Sequence, residues 1–272
     1  MPTSTLTIAG RAVQVDGPPE ATAHNTVLML HGWPDTQVLW DGTVSALSAS
    51  HRCVRLTLPG FAADDPPRAH TLQDMVELLR QVVLQVSGGA PITLLLHDWG
   101  CLFGYHLAHQ HPELVSRIVG IDIGDANSGA LRRALKPKAK LMVLVYQWWL
   151  ALAWRVGGKL GDRMARAMAR AMHVPTPQAD IRAAMGYTYW ITWTGAFGSY
   201  KAVRTLDPKV PMFFAYGERK PFMFHSPQWR DALAKNPGCR VQGFKAGHWV
   251  MMDAAGAFHD ALTAWLAQTE QA

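Results

Sequence analysis

The chain has 272 residues, of which 49% are hydrophobic and 17% are charged, a balance typical of a globular protein and not of a disordered one. Its formal net charge is +6, but basic and aromatic residues do not alternate along any predicted strand, so nucleic-acid binding is not indicated. The three cysteines, Cys53, Cys101 and Cys239, lack the spacing of a disulfide framework or a zinc site. Residues 1–10 carry no signal-peptide pattern, and with the cysteines they predict a cytoplasmic protein with reduced thiols.

Apolar strand-like runs alternate with helical patterns along most of the chain. This alternation predicts a mostly parallel sheet that is covered by helices on both faces. The strand-like runs are Leu6–Val15, Thr26–Leu30, Cys53–Leu58, Ile92–Leu96, Arg117–Ile123, Met212–Tyr216 and Arg240–Phe244, and the helical patterns lie at about 38–49, 71–86, 101–110, 227–236 and 254–267.

Residues 126–206 break this alternation. They are helical in pattern and rich in Trp and Met, and they contain 13 Lys and Arg residues against two acidic residues. The rest of the chain has 13 basic and 18 acidic residues. The break predicts a helical cap at 126–206, with the core formed by 1–125 and 207–272. We expect the basic residues mainly to solvate amphipathic helices, and weak contact with anionic lipid or an anionic partner is the alternative.

The most apolar run of the chain, Leu141–Trp154, lies inside this cap. Its 14 residues are too few to span a bilayer, which needs about 20. The run therefore predicts a helix that is buried between two layers of protein. A helix lying on a membrane surface is the alternative.

Three polar motifs directly follow predicted strands. His31–Asp35 reads His-Gly-Trp-Pro-Asp, His97–Gly100 reads His-Asp-Trp-Gly, and Ala246–Trp249 reads Ala-Gly-His-Trp. The carboxyl ends of parallel strands meet at one edge of a sheet, and open α/β sheets bind their ligands there. Core packing does not explain three such motifs at one edge, so the sequence predicts a functional site.

In order and spacing, these motifs resemble those of the α/β-hydrolase superfamily, specifically its epoxide hydrolase and haloalkane dehalogenase branch. The resemblance covers nearly the whole chain and rests on His31–Pro34, Leu58–Phe61, His97–Gly100 and Gly247–Met252. It implies an α/β-hydrolase fold with a helical cap inserted after the sixth strand of that fold, which corresponds to the run at Arg117–Ile123, the fifth of the runs named above. It also implies that a small hydrophobic substrate and water react without a metal or an organic cofactor.

Asp98 stands where most members of the superfamily carry the serine of the Gly-x-Ser-x-Gly elbow. The resemblance implies that Asp98 attacks an sp³ carbon, as in opening an epoxide or displacing a halide, and forms an ester that water then hydrolyses. Esterase, lipase and protease chemistry is thereby disfavoured. The alternative role of Asp98 is to cap the following helix. His248 is the expected general base for the water, since the ordinary histidine pKa near 6.5 suits that task.

The resemblance also implies the groups that assist these two residues. The backbone N–H groups of Trp33 and Trp99 are expected to form the oxyanion hole. An acid that orients His248 follows either the strand Met212–Tyr216 or the sixth strand. Lys220 occupies the first of these places, so we predict that the acid is Asp125, with Asp122 and Glu218 as alternatives.

Epoxide hydrolases that resemble this chain protonate the opening oxygen with tyrosines of the cap. Tyr146 and Tyr189 are the predicted pair, and Tyr187 is the alternative. With Trp33, these tyrosines favour an epoxide hydrolase. The second hypothesis is a haloalkane dehalogenase with Trp99 as a halide donor, although dehalogenases of this fold usually have Asn where Trp33 stands. The third is a non-catalytic ligand receptor. Nothing in the sequence indicates an oligomeric state.

Overall fold

The computed structural model describes residues 3–18, 22–200 and 202–270, without the side chain of residue 270. Within these ranges the centre of the molecule is an eight-stranded sheet. Its strands are β1 (Thr3–Ile8), β2 (Arg11–Asp16), β3 (Thr26–Leu30), β4 (Arg52–Leu56), β5 (Ile92–His97), β6 (Val115–Ile121), β7 (Met212–Gly217) and β8 (Arg240–Phe244).

The strands follow the order β1-β2-β4-β3-β5-β6-β7-β8, and all pairs from β4 to β8 are parallel. This confirms the predicted mostly parallel sheet. The first predicted strand, Leu6–Val15, is instead an antiparallel hairpin of β1 and β2. Ala9 and Gly10 lie between them with φ of 48° and 74°, which is the backbone of a tight hairpin turn.

Helices cover both faces of the sheet. Val27 and Met29 of β3 pack in one apolar layer with Phe258 of the C-terminal helix, whereas Leu28 packs in the other with Leu79. Successive strand residues point to opposite faces, so a strand that is covered on both sides is apolar throughout. The helices are α1 (Asp41–Leu47), α2 (Leu72–Ser87), α3 (Trp99–Gln110), α4 (Gly129–Ala134), α5 (Pro137–Val156), α6 (Gly158–Ala171), α7 (Tyr187–Thr194), α8 (Pro227–Leu233), α9 (Val250–Asp253) and α10 (Ala255–Glu270).

The helices α4 to α7 lie between β6 and β7, in the segment predicted as a cap. The apolar run Leu141–Trp154 belongs to α5, and the prediction that it is buried between two layers of protein is wrong. Leu141 is 59% exposed and Leu152 is 49% exposed, because α5 packs on α6 and α7 with one side only. No helix among the described residues is long and apolar enough to cross a membrane.

Candidate active site

Asp98 occupies a sharp turn between β5 and α3. Its φ of 50° and ψ of −121° are strained for a residue with a side chain, and such strain persists where the surrounding structure holds it. A Cβ on Gly32 would overlap the Asp98 carboxylate, and one on Gly100 would overlap the backbone oxygen of Leu30. The Asp98 side chain makes no capping hydrogen bond to α3, so the capping alternative does not hold. The turn instead holds the carboxylate beyond the end of the strand.

The two oxygens of Asp98 have different partners. The backbone N–H of Trp33 donates a hydrogen bond of 2.7 Å to Oδ1. Oδ2 lies 3.5 Å from Nε2 of His248. The N–H of Trp99 is the first of α3 and has no partner within the helix, as at any helix start. Oδ1 therefore accepts from the backbone of Trp33, while Oδ2 faces the imidazole.

The partner of His248 on its other side is Asp122, at the end of β6. Nδ1 of His248 donates a hydrogen bond of 2.5 Å to Oδ2 of Asp122. Asp122 has a φ of 70°, which ends the strand with a left-handed turn that aspartate tolerates. Its Oδ1 accepts a 3.1 Å hydrogen bond from the N–H of Gly217 and forms an ion pair with Lys220.

The prediction that Asp125 orients His248 is therefore replaced by Asp122. The Asp125 carboxylate accepts hydrogen bonds of 2.6 Å and 2.7 Å from the N–H and hydroxyl of Ser226, and one of 2.6 Å from Ser128. The Asp125 carboxylate thus connects the residues before α4 with the residue that caps α8. The strand β6 ends at Ile121 and not at the predicted residue 123, so the residue next to the strand end is Asp122.

Glu218, the other alternative acid, is exposed, and no salt bridge joins it to His248 within the described ranges. Its carboxyl group lies beside Gly243 of β8. The loop after β7 instead contributes Lys220, which is almost completely buried and lies over the ring of Phe224 at 5.6 Å. The sequence showed Lys220 at the position after β7 where the resemblance implies an acid, but it did not show that Lys220 forms an ion pair with Asp122.

The buried charges shift one another's pKa values. Burial lowers the pKa of His248, but the carboxylates of Asp122 and Asp98 outweigh it and raise that pKa to about 9. Burial raises the pKa of Asp98, but the hydrogen bond and charge of His248, the neighbouring His97 and the N–H of Trp33 together outweigh it, so the pKa stays below its ordinary value. Burial also lowers the pKa of Lys220, against the opposing pull of Asp122. Near neutral pH the geometry therefore holds an imidazolium between two carboxylates.

Two other histidines hold the loops of the site. Nε2 of His31 accepts a 2.9 Å hydrogen bond from the N–H of Leu58, and its Nδ1 lies 3.0 Å from the carbonyl oxygen of Gly32. Burial lowers the pKa of His31 to about 4, so it is neutral. Nε2 of His97 lies 3.1 Å from the backbone oxygen of His248, and the two rings are 4.5 Å apart. Through these contacts the two histidines connect the loops that surround Asp98 and His248.

Asp35 links the site to the cap, which sequence reasoning did not detect. It is buried, and it accepts a 2.9 Å hydrogen bond from the indole of Trp249 and another from Thr176 of the cap. Burial raises the pKa of Asp35 to about 6, although both hydrogen bonds oppose the rise. Asp35 follows the cis peptide bond between Trp33 and Pro34, in the first of the three motifs.

A cavity of about 870 Å³ opens above Asp98 and His248. Residues of the segment predicted as a cap and of the rest of the chain both line it, and most of its wall is apolar, including Val145, Met172 and Phe222. In the part of the chain that the structure describes, no group of three or more His, Cys, Asp or Glu residues could hold a metal ion. A second cleft of about 960 Å³ is polar and lies elsewhere, beside α2, away from the carboxylates described above.

The predicted tyrosine pair lies on the cap wall of this cavity. The rings of Tyr146 and Tyr189 are 6.0 Å apart, and both residues line the cavity with Asp98. Burial and the negative charge of Asp98 raise the pKa of both hydroxyls, so both stay protonated. The alternative, Tyr187, packs against Phe61 and His70 outside the cavity lining.

The indoles of Trp33 and Trp99 differ in orientation. Trp33 lines the cavity, and its indole N–H has no hydrogen-bond partner among the described residues. The ring of Trp99 packs against Tyr189 at 5.2 Å and Tyr200 at 5.7 Å, and Trp99 is not among the residues that line the cavity. Trp99 therefore supports a cap tyrosine instead of lining the cavity.

Comparisons with known proteins agree with this fold. Residues 25–255 match the family model described as the alpha/beta hydrolase fold. Over 105 residues, 37% of this chain and 30% of the relative, the chain is 35% identical to epoxide hydrolase srdG of Neurospora crassa. The chain spans about a quarter to a third of the length of the curated relatives it matches.

Two solved structures have the same fold over their whole length. An epoxide hydrolase mutant from Bacillus megaterium, complexed with its diol product, has a TM-score of 0.73 and 19% identity, covering 97% of this chain and 100% of that one. Haloalkane dehalogenase DbeA from Bradyrhizobium elkani has a TM-score of 0.70 and 17% identity, covering 99% of each chain. At these identities the likeness shows the fold alone.

Proposed function

Because the chain belongs to the alpha/beta hydrolase fold family, we propose that it is a hydrolase that opens hydrophobic epoxides to vicinal diols through a covalent ester on Asp98. The observation that carries this proposal is the pair of protonated hydroxyls, Tyr146 and Tyr189, in the cavity wall that also contains Asp98. An alkoxide is a poor leaving group, so its departure requires a proton donor at that position.

In the first step, Oδ2 of Asp98 forms a bond to an epoxide carbon while the bond from that carbon to the ring oxygen breaks. The ring oxygen takes a proton from Tyr146 or Tyr189, which leaves a tyrosinate. Oδ1 remains at the N–H of Trp33, so it becomes the carbonyl oxygen of the ester. The cap tyrosines thus assist the leaving group, whereas the elbow holds the nucleophile in place.

Ester formation removes the negative charge of Asp98, one of the two carboxylates that raise the pKa of His248. The imidazolium then gives its proton to the tyrosinate, which is the stronger base. This proton transfer restores the tyrosine and leaves His248 neutral. His248 thereby becomes a base at the stage where one is needed.

In the second step, neutral His248 takes a proton from a water molecule whose oxygen attacks the ester carbonyl carbon. The N–H of Trp33, together with that of Trp99, stabilises the negative charge that develops on Oδ1. Collapse of the tetrahedral intermediate breaks the bond between the carboxyl carbon and the substrate oxygen, and that oxygen takes the second proton of the water from the new hydroxyl group. The diol is released, and the Asp98 carboxylate is restored beside an imidazolium. Over the cycle, one epoxide and one water give one diol, and every proton returns to its starting position.

The supporting groups have matching roles in this proposal. Asp122 orients the imidazole through Nδ1 and stabilises its positive charge, as the acid of a catalytic triad does.

We propose that 126–206 act as the cap of a core formed by 1–125 and 207–272. The apolar cavity wall favours a small hydrophobic substrate, and the free cysteines favour a cytoplasmic location.

Haloalkane dehalogenation is the second candidate, and one observation favours it. The indole N–H of Trp33 lines the cavity and has no partner among the described residues, so it could donate to a halide. The second donor that a halide requires is not provided by Trp99, whose ring packs against Tyr189 and lies outside the cavity lining. A purely ligand-binding role has less support, because His248 and Asp98 lie within reach of one water molecule.

The two reactions are separated by a single-turnover experiment in H₂¹⁸O with an aryl epoxide and, separately, a bromoalkane. Attack of water on the ester places ¹⁸O in the carboxylate of Asp98, and mass spectrometry of the peptide that contains it detects the label. We expect label with the epoxide and no label with the bromoalkane. The reverse pattern would assign the dehalogenase.

The matched control is Asp98→Asn, which keeps the shape of the side chain and removes the nucleophile. We expect this variant to form no ester and to lose turnover. Turnover without incorporation of label in the wild type, or undiminished turnover in Asp98→Asn, contradicts the covalent mechanism.

A further inference from the structure

The outer side of α5 presents a continuous row of large apolar side chains to solvent. Leu141, Val145, Trp148 and Leu152 follow one another at intervals of three or four residues, so they lie on one face of the helix. Val145 is 53% exposed and Trp148 is 44% exposed. Leu144, Trp149, Val156 and, from neighbouring helices, Leu160 and Trp193 extend the exposed apolar surface. We call these nine residues the outer apolar surface.

Monomeric soluble proteins rarely expose a contiguous apolar area of this kind unless it meets a partner. The tryptophans of the surface lie together, since the rings of Trp148 and Trp193 are 5.5 Å apart. Indole rings are the side chains that prefer the boundary between lipid and water, where they combine apolar area with one hydrogen-bond donor. The composition of the surface therefore matches a membrane interface.

Basic residues lie at both ends of the same helical row. Lys138 is three residues before Leu141, and Arg155 is three residues after Leu152, so both belong to the face just described. Both are exposed, and no salt bridge joins either to a carboxylate of the described residues. Lys136, Lys140, Lys159 and Arg163 are exposed nearby in sequence.

The charge of the whole cap agrees with this local pattern. Residues 126–206 contain 13 basic and two acidic residues, a balance of +11, whereas the rest of the chain has a balance of −5. An anionic lipid surface attracts such a face, and each Lys or Arg near the surface adds to the attraction. A second copy of this chain would instead bring two positively charged caps together, which opposes a dimer through this surface.

The outer apolar surface reaches the mouth of the active-site cavity. Leu141 and Val145 are exposed, and they also line the cavity. An apolar molecule dissolved in a bilayer could therefore enter the cavity at these residues without first crossing water.

We propose that the outer apolar surface and the cations around it dock this protein on the surface of an anionic phospholipid bilayer. The helix α5 lies in the plane of the interface and does not cross the membrane. This replaces the expectation that the basic residues of the cap mainly solvate it. The inference rests on the cap alone, and it does not depend on the chemistry of Asp98.

Flotation with lipid vesicles tests the proposal. One set of vesicles contains phosphatidylglycerol and phosphatidylcholine, and the other contains phosphatidylcholine alone. We expect the wild type to float with the anionic set and only weakly with the neutral set. The variant Lys138→Glu with Arg155→Glu should bind at least about 25-fold more weakly, since each lost cation lowers binding about fivefold.

A second variant, Trp148→Ser with Leu152→Ser, should lower binding at least about tenfold, since two large apolar side chains no longer enter the interface. The matched controls change exposed residues of the core. They are Val38→Ser with Leu84→Ser for apolar area, and Lys235→Glu with Lys245→Glu for charge, and they should bind as the wild type does. Circular dichroism and activity on a water-soluble substrate establish that each variant is folded.

Three outcomes overturn the proposal. The first is a wild type that stays unbound with the anionic vesicles. The second is binding that both cap variants retain in full. The third is a wild-type dimer, measured by light scattering without vesicles, that Trp148→Ser with Leu152→Ser dissociates, because the surface would then be an interface between copies of this chain.

Discussion

The core edge of the active site and the cap wall that faces it are built from different chemistry. The core edge contributes charged groups, and Asp98, Asp122, His248 and Lys220 each have a partner of opposite charge. The cap wall contributes the uncharged hydroxyls of Tyr146 and Tyr189 within an apolar surface.

This difference has a physical reason. A buried charge is costly unless a partner is held beside it, and here the loops that follow β5, β6, β7 and β8 supply the partners. A tyrosine hydroxyl is much less costly to bury, so it can reside on the cap. We therefore expect substitutions at the core edge to slow ester formation or ester hydrolysis with any substrate. Substitutions in the cap wall should slow only reactions whose leaving group needs a proton.

The largest effect is expected from the acid of the core edge. In Asp122→Asn, the imidazole loses the anion that stabilises its positive charge, so hydrolysis of the ester should slow by roughly 10⁴-fold, as in a triad whose acid is replaced by its amide. Formation of the ester should be affected much less. Rapid-quench mass spectrometry of the peptide with Asp98 should then show ester that accumulates.

Asp125→Asn is the matched control, three residues away. Because Asp125 bonds Ser226 and Ser128, this change should lower the melting temperature and leave ester hydrolysis near the wild-type rate. If ester accumulates in Asp125→Asn and not in Asp122→Asn, the assignment of the acid is wrong.

The next largest effect is expected from the cap wall. Tyr146→Phe combined with Tyr189→Phe removes the proton donors, and kcat/KM for an epoxide should fall by about 10²- to 10⁴-fold. A bromoalkane needs no proton at the leaving halide, so any activity on it should be spared. Tyr187→Phe is the control, since its ring lies outside the cavity lining. Equal losses with both substrates would mean that the tyrosines shape the cavity and donate no proton.

The coupling between Asp98 and His248 can be measured directly. The pKa of His248 should lie near 9 in the resting protein, because the carboxylates of Asp122 and Asp98 favour the imidazolium over the effect of burial. In Asp98→Asn one of these anions is lost, as it is in the ester, so the pKa should fall. Titration of ¹⁵N-labelled histidine by NMR tests this, and an unchanged pKa in Asp98→Asn would contradict the proposed change of His248 into a base.

The same pKa gives a pH dependence of stability. The folded value of about 9 lies above the ordinary value of 6.5, so this interaction contributes its full stability at pH values below 6.5. That contribution is lost as the pH rises through about 9. The free energy of unfolding, measured with urea across this range, should decline, and Asp122→Asn should make the decline smaller.

The smallest effect is expected from Lys220→Met. The change removes the cation that shares Asp122 with His248, so the imidazolium should be stabilised. The acidic limb of the profile of kcat against pH should therefore shift to higher pH. Ester hydrolysis at neutral pH should slow by less than about tenfold, and ester formation should not change. Arg219→Gln serves as the control for loss of a cation at the cavity. A profile that shifts equally in both variants would reduce the role of Lys220 to a general effect of charge.

Much of the fold and part of the site could be predicted from local sequence. The strands β3 and β5 are buried along their whole length and are mostly apolar because both faces are covered, so their position and their place inside the sheet follow from composition. Asp98 and His248 follow predicted strands within motifs, and that is why both were found. The helical pattern of the cap placed Tyr146 and Tyr189 on helices without showing which way they point.

The acid beside His248 was decided by the tertiary structure. Asp122 and Asp125 lie three residues apart after one strand, and a difference of two residues in where that strand ends changes which of them is next to the imidazole. The turn at Asp122 is held by the N–H of Gly217 and by Lys220, which are almost 100 residues away in sequence. No local pattern carries that information.

The same distinction applies to α5. Its sequence by itself determined an apolar helix too short to span a bilayer, because these properties depend on residues close together in the chain. Which side of that helix is covered depends on the packing of α6 and α7, and the structure shows that they cover one side only. Periodicity reports how apolar a face is, whereas burial depends on what else the fold brings against it.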